Sequence, residues 1–123
     1  MPGHQEWANE IIKKEKIEDI VRWVKISNEE ELIKEYQNSY CCLVPYTDYP
    51  GSFPVSLAMA NGIPVIASDD WGTEEYLHGA GLVFKSRSIE DLATVLGKIR
   101  DNVPLRDEMG KKAKEVAERV VER

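Results

Sequence analysis

Short apolar runs alternate with helical patterns along this chain, and this alternation limits its possible folds more than any other feature. The runs Tyr40–Val44, Ile63–Ala67 and Leu82–Phe84 are apolar throughout, and a helical pattern follows each of them. Such runs are typical of strands buried on both faces of a parallel sheet. With a further strand at Ile20–Val24, we expect an α/β fold, a parallel sheet of about four strands flanked by helices.

Capping residues mark several of the expected helix ends. Asn28, with Glu31 three residues on, resembles a capping box, and Ser88 is suited to begin a later helix. Gly62 is a natural residue for the position just after a helix, because glycine adopts the left-handed conformation without strain. The predicted helices are Gln5–Lys16, one after Asn28, Pro54–Asn61, a short one at Thr73–Leu77, one after Ser88, and one starting near Pro104. The apolar stripes of the last two indicate core packing.

Length and charge narrow the class of protein. The chain has 123 residues, so we expect one domain over residues 1–123. Its formal net charge is −6, which leaves no basic field for a phosphate backbone and excludes nucleic acid as an expected partner. No apolar run approaches the roughly 20 residues of a membrane helix, and Met1–Glu10 lacks a signal-peptide core. We therefore predict no membrane span and a cytoplasmic protein.

The sequence nominates no metal site and no catalytic residue. Cys41 and Cys42 are adjacent in an apolar run, where neighbouring side chains point to opposite faces of a strand, so a bridge between them is geometrically poor. The histidines, His4 and His78, stand alone in the sequence. The two cysteines are best interpreted as small hydrophobic strand residues.

Ligands of open parallel sheets bind beyond the carboxyl ends of the strands. Three segments lie at such ends: Lys25–Asn28, Pro45–Phe53 and Ser68–Thr73. In the second, Gly51 and Ser52 could bring backbone N–H groups to a phosphate at a helix start, although an ordinary βα turn explains them equally well. In the third, Asp70 or Thr73 could simply cap a helix, and the tryptophan between them could pack or stack on a base.

One block of the chain resembles a known family. The run Ala58–Ser68, then Gly72–Tyr76 and Gly79–Phe84, resembles the C-terminal domain of retaining glycosyltransferases of the GT-B fold, in the family 4 group. The flanking segments fit the same pattern, so the resemblance covers nearly the whole chain. It implies a Rossmann-like domain that binds a nucleotide diphosphate sugar. Such a domain transfers the sugar when combined with an N-terminal domain that holds the acceptor.

The resemblance also implies which positions meet the donor. Backbone amides and helix dipoles would steady the departing diphosphate, and neither a metal ion nor another cofactor would be required. The implied residues are Lys25, Ile26 and Ser27 near the base, Gly51, Ser52 and Phe53 near the diphosphate and sugar, and Gly72 and Thr73 beside the same cleft.

The chain departs from the family pattern at two places. Counted without gaps, the family's two glutamates fall at Tyr49 and Leu57; alternatively, the segment is shortened between Leu57 and Ala58. Either way the carboxylate that grips the ribose is missing, and a polar ligand group left unpaired costs about 1–3 kcal/mol. Two opening βα units with basic residues are also missing, so the resemblance implies an N-terminally truncated, incomplete domain. Its sheet would rearrange, exchange an element with a second copy in a homodimer, or expose a strand edge.

These departures leave two functions open. One is a glycosyltransferase donor-binding domain that is inactive in isolation. The other is a non-catalytic binding or interaction module that kept the fold but lost the donor-site carboxylates. An unrelated phosphate-binding α/β domain is a third, more distant interpretation.

Overall fold

A computed structural model of the chain describes residues 2–45, 53–71, 77 and 79–121. Nearly all of the predicted helix at Thr73–Leu77 lies outside these residues. The elements in chain order are α1 (Pro2–Lys14), α2 (Glu29–Gln37), β1 (Cys42–Val44), α3 (Phe53–Ala60), β2 (Val65–Ser68), a 3₁₀ helix (Asp69–Trp71), β3 (Gly81–Phe84), α4 (Ile89–Asp101) and α5 (Val103–Val121).

The described strands form one parallel sheet in the order β1-β2-β3. Val44 of β1 lies opposite Ala67 of β2, and Ser68 of β2 lies opposite Phe84 of β3. The strands are therefore level at their carboxyl ends. The prediction of a parallel α/β sheet is confirmed, with three strands among the described residues.

The predicted strand at Ile20–Val24 is wrong. Residues 21–27 have no regular secondary structure, and the side chains of Ile20 and Trp23 are 80% and 54% exposed. A strand needs a neighbour that completes its backbone hydrogen bonds, and no described strand pairs with this segment. Side-chain contacts hold it instead: Trp23 Nε1 donates to Asn9 Oδ1 at 2.6 Å, and Arg22 pairs with Glu35 at 3.2 Å.

The predicted helix caps at Asn28 and Ser88 are confirmed in atomic detail. At α2, the Oδ1 of Asn28 accepts the N–H of Glu31 at 2.9 Å, and the Glu31 carboxylate accepts the N–H of Ser27 at 2.9 Å. At α4, the Oγ of Ser88 accepts the N–H of Asp91 at 3.1 Å. Each cap satisfies a backbone donor that has no partner within the helix.

The end of α3 is also as predicted. Gly62 has φ +70°, its N–H donates to Met59 O at 3.0 Å, and the N–H of Ile63 donates to Ala58 O at 2.9 Å. This pair of bonds is the Schellman motif, in which a left-handed residue terminates the helix. The motif turns the chain directly into β2.

Both faces of the sheet are covered. On one face, α3 and α5 pack with the strands through Val55, Met59, Ala113 and Val116, while on the other α4 packs through Val95 and Ile99. The apolar stripes of α4 and α5 therefore lie in the core, as predicted. No helix in the described part of the chain is long and apolar enough to cross a membrane.

One contact brings α5 unusually close to the end of α3. A Cβ built on Gly110 would lie 2.3 Å from the carbonyl oxygen of Gly62. Only glycine at position 110 permits this approach, because real Cβ atoms do not come so near an oxygen. The contact fixes the position of α5 against the Schellman motif.

Candidate functional site

The carboxyl ends of the three strands define one edge of the sheet, which we call the carboxyl-end edge. It contains Val44, Ser68 and Phe84, because the strands are parallel and in register. Helix α3 begins at this edge, since it ends at Ala60 and leads through Gly62 to the opposite end of β2. Its positive dipole end is therefore at the carboxyl-end edge.

The loops that follow β2 and β3 are tied together at this edge. Asp69 Oδ1 accepts the N–H of Ser86 at 3.0 Å, and Asp70 Oδ2 accepts the Ser86 hydroxyl at 2.5 Å. On the other side of Ser86, the N–H of Lys85 donates to Asp91 Oδ2 at 2.5 Å. The bonds from Ser86 to Asp69 and Asp70 therefore fix the position of the loop after β2 relative to the loop after β3.

Charge at the described part of the edge is close to balanced. Three carboxylates, from Asp69, Asp70 and Asp91, are accompanied by the cations Lys85 and Arg87. Side-chain charge alone therefore offers an anion no net attraction here. An anion at this edge would therefore depend on backbone N–H groups and helix dipoles.

Lys25, Ile26 and Ser27 lie immediately before α2, and all three are exposed. Ile26 and Ser27 help to line a shallow groove of about 290 Å³ at the start of this helix. The far end of α2 lies near the amino ends of the strands, because Gln37 Nε2 donates to Asn61 Oδ1 at 3.4 Å. A nine-residue helix spans about 13 Å, so the groove is displaced from Asn61 by roughly that length.

The remaining predicted site residues are described only in part. Phe53 is the first residue of α3, and its side chain is not among those described. Leu57, where the family pattern has a carboxylate, is half-buried in the middle of α3. The predictions that lie outside the described residues are Tyr49, Gly51, Ser52, Gly72 and Thr73.

The two cysteines are free thiols. Burial raises the pKa of Cys41, and it also raises the pKa of Cys42, where a hydrogen bond with Tyr36 acts in the opposite direction. Both thiols are thus protonated near neutral pH and are poor nucleophiles. Within the described ranges, no three side chains of the metal-binding types lie close enough together to hold a metal ion.

The sequence interpretation missed Ser86, which links the loops after β2 and β3. Its position in the sequence could have indicated it, because Ser86 lies just beyond the carboxyl end of β3, where ligands of parallel sheets bind. Asp70 accepts the Ser86 hydroxyl, and the start of the helix that Asp70 or Thr73 is predicted to cap lies outside the described residues.

Two solved structures share this fold. Sucrose-phosphate synthase from Thermosynechococcus elongatus superposes with a TM-score of 0.85 at 24% identity, over 94% of this chain and 30% of that one. The C-terminal domain of a glycosyl transferase group 1 family protein from Francisella tularensis gives a TM-score of 0.77 at 15% identity, over 92% of this chain and 60% of that one. The chain thus spans less than two thirds of either, and likeness at these identities shows the fold alone.

Sequence comparison identifies the family. No curated protein sequence matches the chain significantly. The family model described as "Glycosyl transferases group 1", by contrast, matches residues 2–116. This match extends from α1 into α5 and includes every described strand. The chain therefore belongs to the glycosyl transferases group 1 family.

Proposed function

We propose that this chain is the donor-binding domain of a group 1 glycosyltransferase and that a nucleotide diphosphate sugar binds at its carboxyl-end edge. The observation that carries this proposal is the convergence of three parallel strand ends and the start of α3 on one edge. Ligands of open parallel sheets bind in this position. The family match does not favour the alternative of a non-catalytic interaction module.

Backbone N–H groups, rather than charged side chains, would make most of the contacts with the diphosphate. The described side chains of the edge supply no net positive charge, whereas the start of α3 presents a positive dipole end. We propose that the N–H groups of Gly51, Ser52 and Phe53 approach the phosphates there. When the sugar–phosphate bond breaks, negative charge develops on the departing diphosphate, and preorganised N–H donors stabilise that charge without rearranging. Gly72 and Thr73 would flank the same cleft.

The base would occupy the start of α2. The shallow groove there has an apolar wall that includes Ile26 and Leu32, and Ser27 contributes a polar group at its rim. The Ser27 N–H is already bonded to Glu31, so the base must use other donors and acceptors. Lys25 is exposed just before the groove, and its position suits a charge contact with the nucleotide.

The acceptor would be held by a separate half of the enzyme. The chain covers only 30% and 60% of the two solved structures that it resembles. We propose that residues 1–123 act as one incomplete domain, which binds the donor but transfers no sugar without an N-terminal half. Adding such a half in trans, with an acceptor, is the direct assay of transfer.

Nucleotide binding is tested by calorimetric titration of the chain with UDP, GDP and ADP. We expect at least one of them to bind and to stabilise the fold. A ligand at 100 times its dissociation constant adds about 2.7 kcal/mol to the free energy of unfolding. If none of the three binds at millimolar concentration, the proposal is wrong.

A charge placed beside the proposed diphosphate tests the location. Ser52→Asp introduces a carboxylate near the phosphates, and we expect it to weaken nucleotide binding at least tenfold, or about 1.4 kcal/mol. Ser39→Asp is the matched control, because exposed Ser39 precedes β1 at the opposite end of the sheet. Equal affinity of the two variants would place the nucleotide somewhere other than the carboxyl-end edge.

A further inference from the structure

Strand β1 leaves one side of its backbone without a described neighbour. Among the described strands, β1 pairs only with β2, and the N–H of Cys42 donates towards β2, to Pro64 O at 2.9 Å. Because backbone groups alternate in direction along a strand, the N–H and C=O of Leu43 point away from β2. This free edge of β1 is a template for another strand.

Apolar surface surrounds the free edge of β1. Leu43 is 42% exposed and Tyr40 is 65% exposed, and the Tyr40 ring is held by the Arg106 guanidinium 4.2 Å from its centroid. A groove of about 410 Å³ beside them is lined by residues that include Cys41, Leu96 and Ile99. At the opposite side of the sheet, β3 has no exposed residue.

A second apolar surface lies in the arm, by which we mean residues 6–27, comprising most of α1 and the irregular segment after it. Trp7 and Ile11 of α1 are 64% and 40% exposed. Further along, Val21, Trp23 and Val24 are 38%, 54% and 43% exposed. The sequence of this segment favours a strand, because it is rich in β-branched and aromatic residues. The arm thus contains a segment with strand propensity that forms no strand, and β1 has an edge without a described neighbouring strand.

The exposed area of the chain is large enough to supply an interface with a partner. A compact protein of 14.0 kDa is expected to expose about 6,700 Å². This chain exposes 9019 Å², roughly 2,300 Å² more than that expectation. A standard interface between two proteins buries about 800 Å² on each partner. The excess is therefore large enough for a stable interface.

We propose that two copies of this chain associate by exchanging their arms. The segment Ile20–Val24 of one copy adds as a strand to the free edge of β1 in the other, and a two-fold axis makes the second contact identical. Leu43 gains backbone hydrogen bonds, while the apolar residues of the arm cover Tyr40 and the adjoining groove. This association needs no nucleotide and is independent of the proposed donor site.

Sedimentation velocity of the nucleotide-free chain over a wide concentration range tests the exchange. We expect a dimer that dissociates on dilution, with amide hydrogen exchange at Leu43 slowed only in the dimer. A chain that is monomeric throughout overturns the proposal. A monomer in which the Leu43 amide is protected also overturns the proposal, because the edge of β1 is then covered within one copy of the chain.

Substitutions at the two proposed contacts locate the interface. Leu43→Lys puts a charge on the edge, and Val21→Lys puts one on the arm. We expect each to raise the dimer dissociation constant at least tenfold without loss of far-ultraviolet circular dichroism, because both side chains are exposed in the monomer. Ile89→Lys is the matched control, since Ile89 is 84% exposed on α4 and is expected to leave dimerisation unchanged. A dimer that tolerates both Leu43→Lys and Val21→Lys uses another surface and refutes the exchange.

Discussion

Gly110→Ala tests whether α5 approaches the end of α3 as closely as the structure shows. The added Cβ would lie 2.3 Å from the carbonyl oxygen of Gly62 and 3.3 Å from its carbonyl carbon. Position 110 is buried, and a methyl group attached directly to the backbone has no rotamer that avoids the clash. Either α5 or the turn at Gly62 must therefore move.

The expected cost is the sum of two opposing effects. Forcing extra atoms into a packed interior costs about 1–3 kcal/mol. Alanine is also a better helix former than glycine by about 1 kcal/mol, which offsets part of that cost. Gly97→Ala in α4 separates the two effects, because the side-chain atom nearest to its Cβ would be Arg100 Nη2 at 4.0 Å. Gly97→Ala therefore gains the higher helix propensity of alanine without a steric clash.

The quantity to measure is the difference between the two variants in the free energy of unfolding, from urea denaturation at one protein concentration. We expect Gly110→Ala to be less stable than Gly97→Ala by about 1–3 kcal/mol, because the propensity gain cancels in the comparison. The fixed concentration matters, since association would change the apparent stability. Equal stability of the two variants would show that the close contact between positions 62 and 110 does not exist.

Further predictions concern the stability of the fold and the reactivity of its two thiols. Ser88→Ala should lower the free energy of unfolding by about 1 kcal/mol through loss of the α4 cap, measured by urea denaturation. In the same assay Ile66→Ala should cost about 2–5 kcal/mol, because Ile66 is fully buried in β2. Arg22→Ala should cost less than about 0.5 kcal/mol, since its ion pair is exposed. Disulfide-reagent labelling of Cys41 and Cys42 should be slower in the folded than in the urea-unfolded chain, because burial raises both pKa values. For the same reason, the free energy of unfolding should not change with pH through these thiols below their unfolded pKa of about 8.5, and it should decrease as the pH rises above that value.

Local chemistry explains which elements could be predicted from the sequence. The caps at Asn28 and Ser88 and the left-handed turn at Gly62 depend on residues within five positions of each other. Ile20–Val24 has equally good local propensity for a strand, yet it forms none. A strand depends on a neighbour that is distant in sequence, and local propensity carries no information about that neighbour.

The same distinction applies to the candidate site. Ligands of open parallel sheets bind beyond the carboxyl ends of the strands, and this generalisation predicts that the segments after β1 and β2 form part of the site. The order of the strands confirms that these ends share one edge. The bonds from Ser86 to Asp69 and Asp70 cross between segments 16 and 17 residues apart. Many polar residues follow the strands of this chain. Only the distance between β2 and β3 in the folded structure shows that Ser86, Asp69 and Asp70 are the ones that bond to each other.

The position of α5 also has a consequence for synthesis on the ribosome. Ala113 and Val116 of α5 complete the same core face as Val65 of β2, which is made roughly 50 residues earlier. At about 5–20 residues per second, several seconds of translation separate the two. During that interval one apolar face of the sheet lacks part of its cover, so we expect the nascent chain to expose hydrophobic surface until α5 docks.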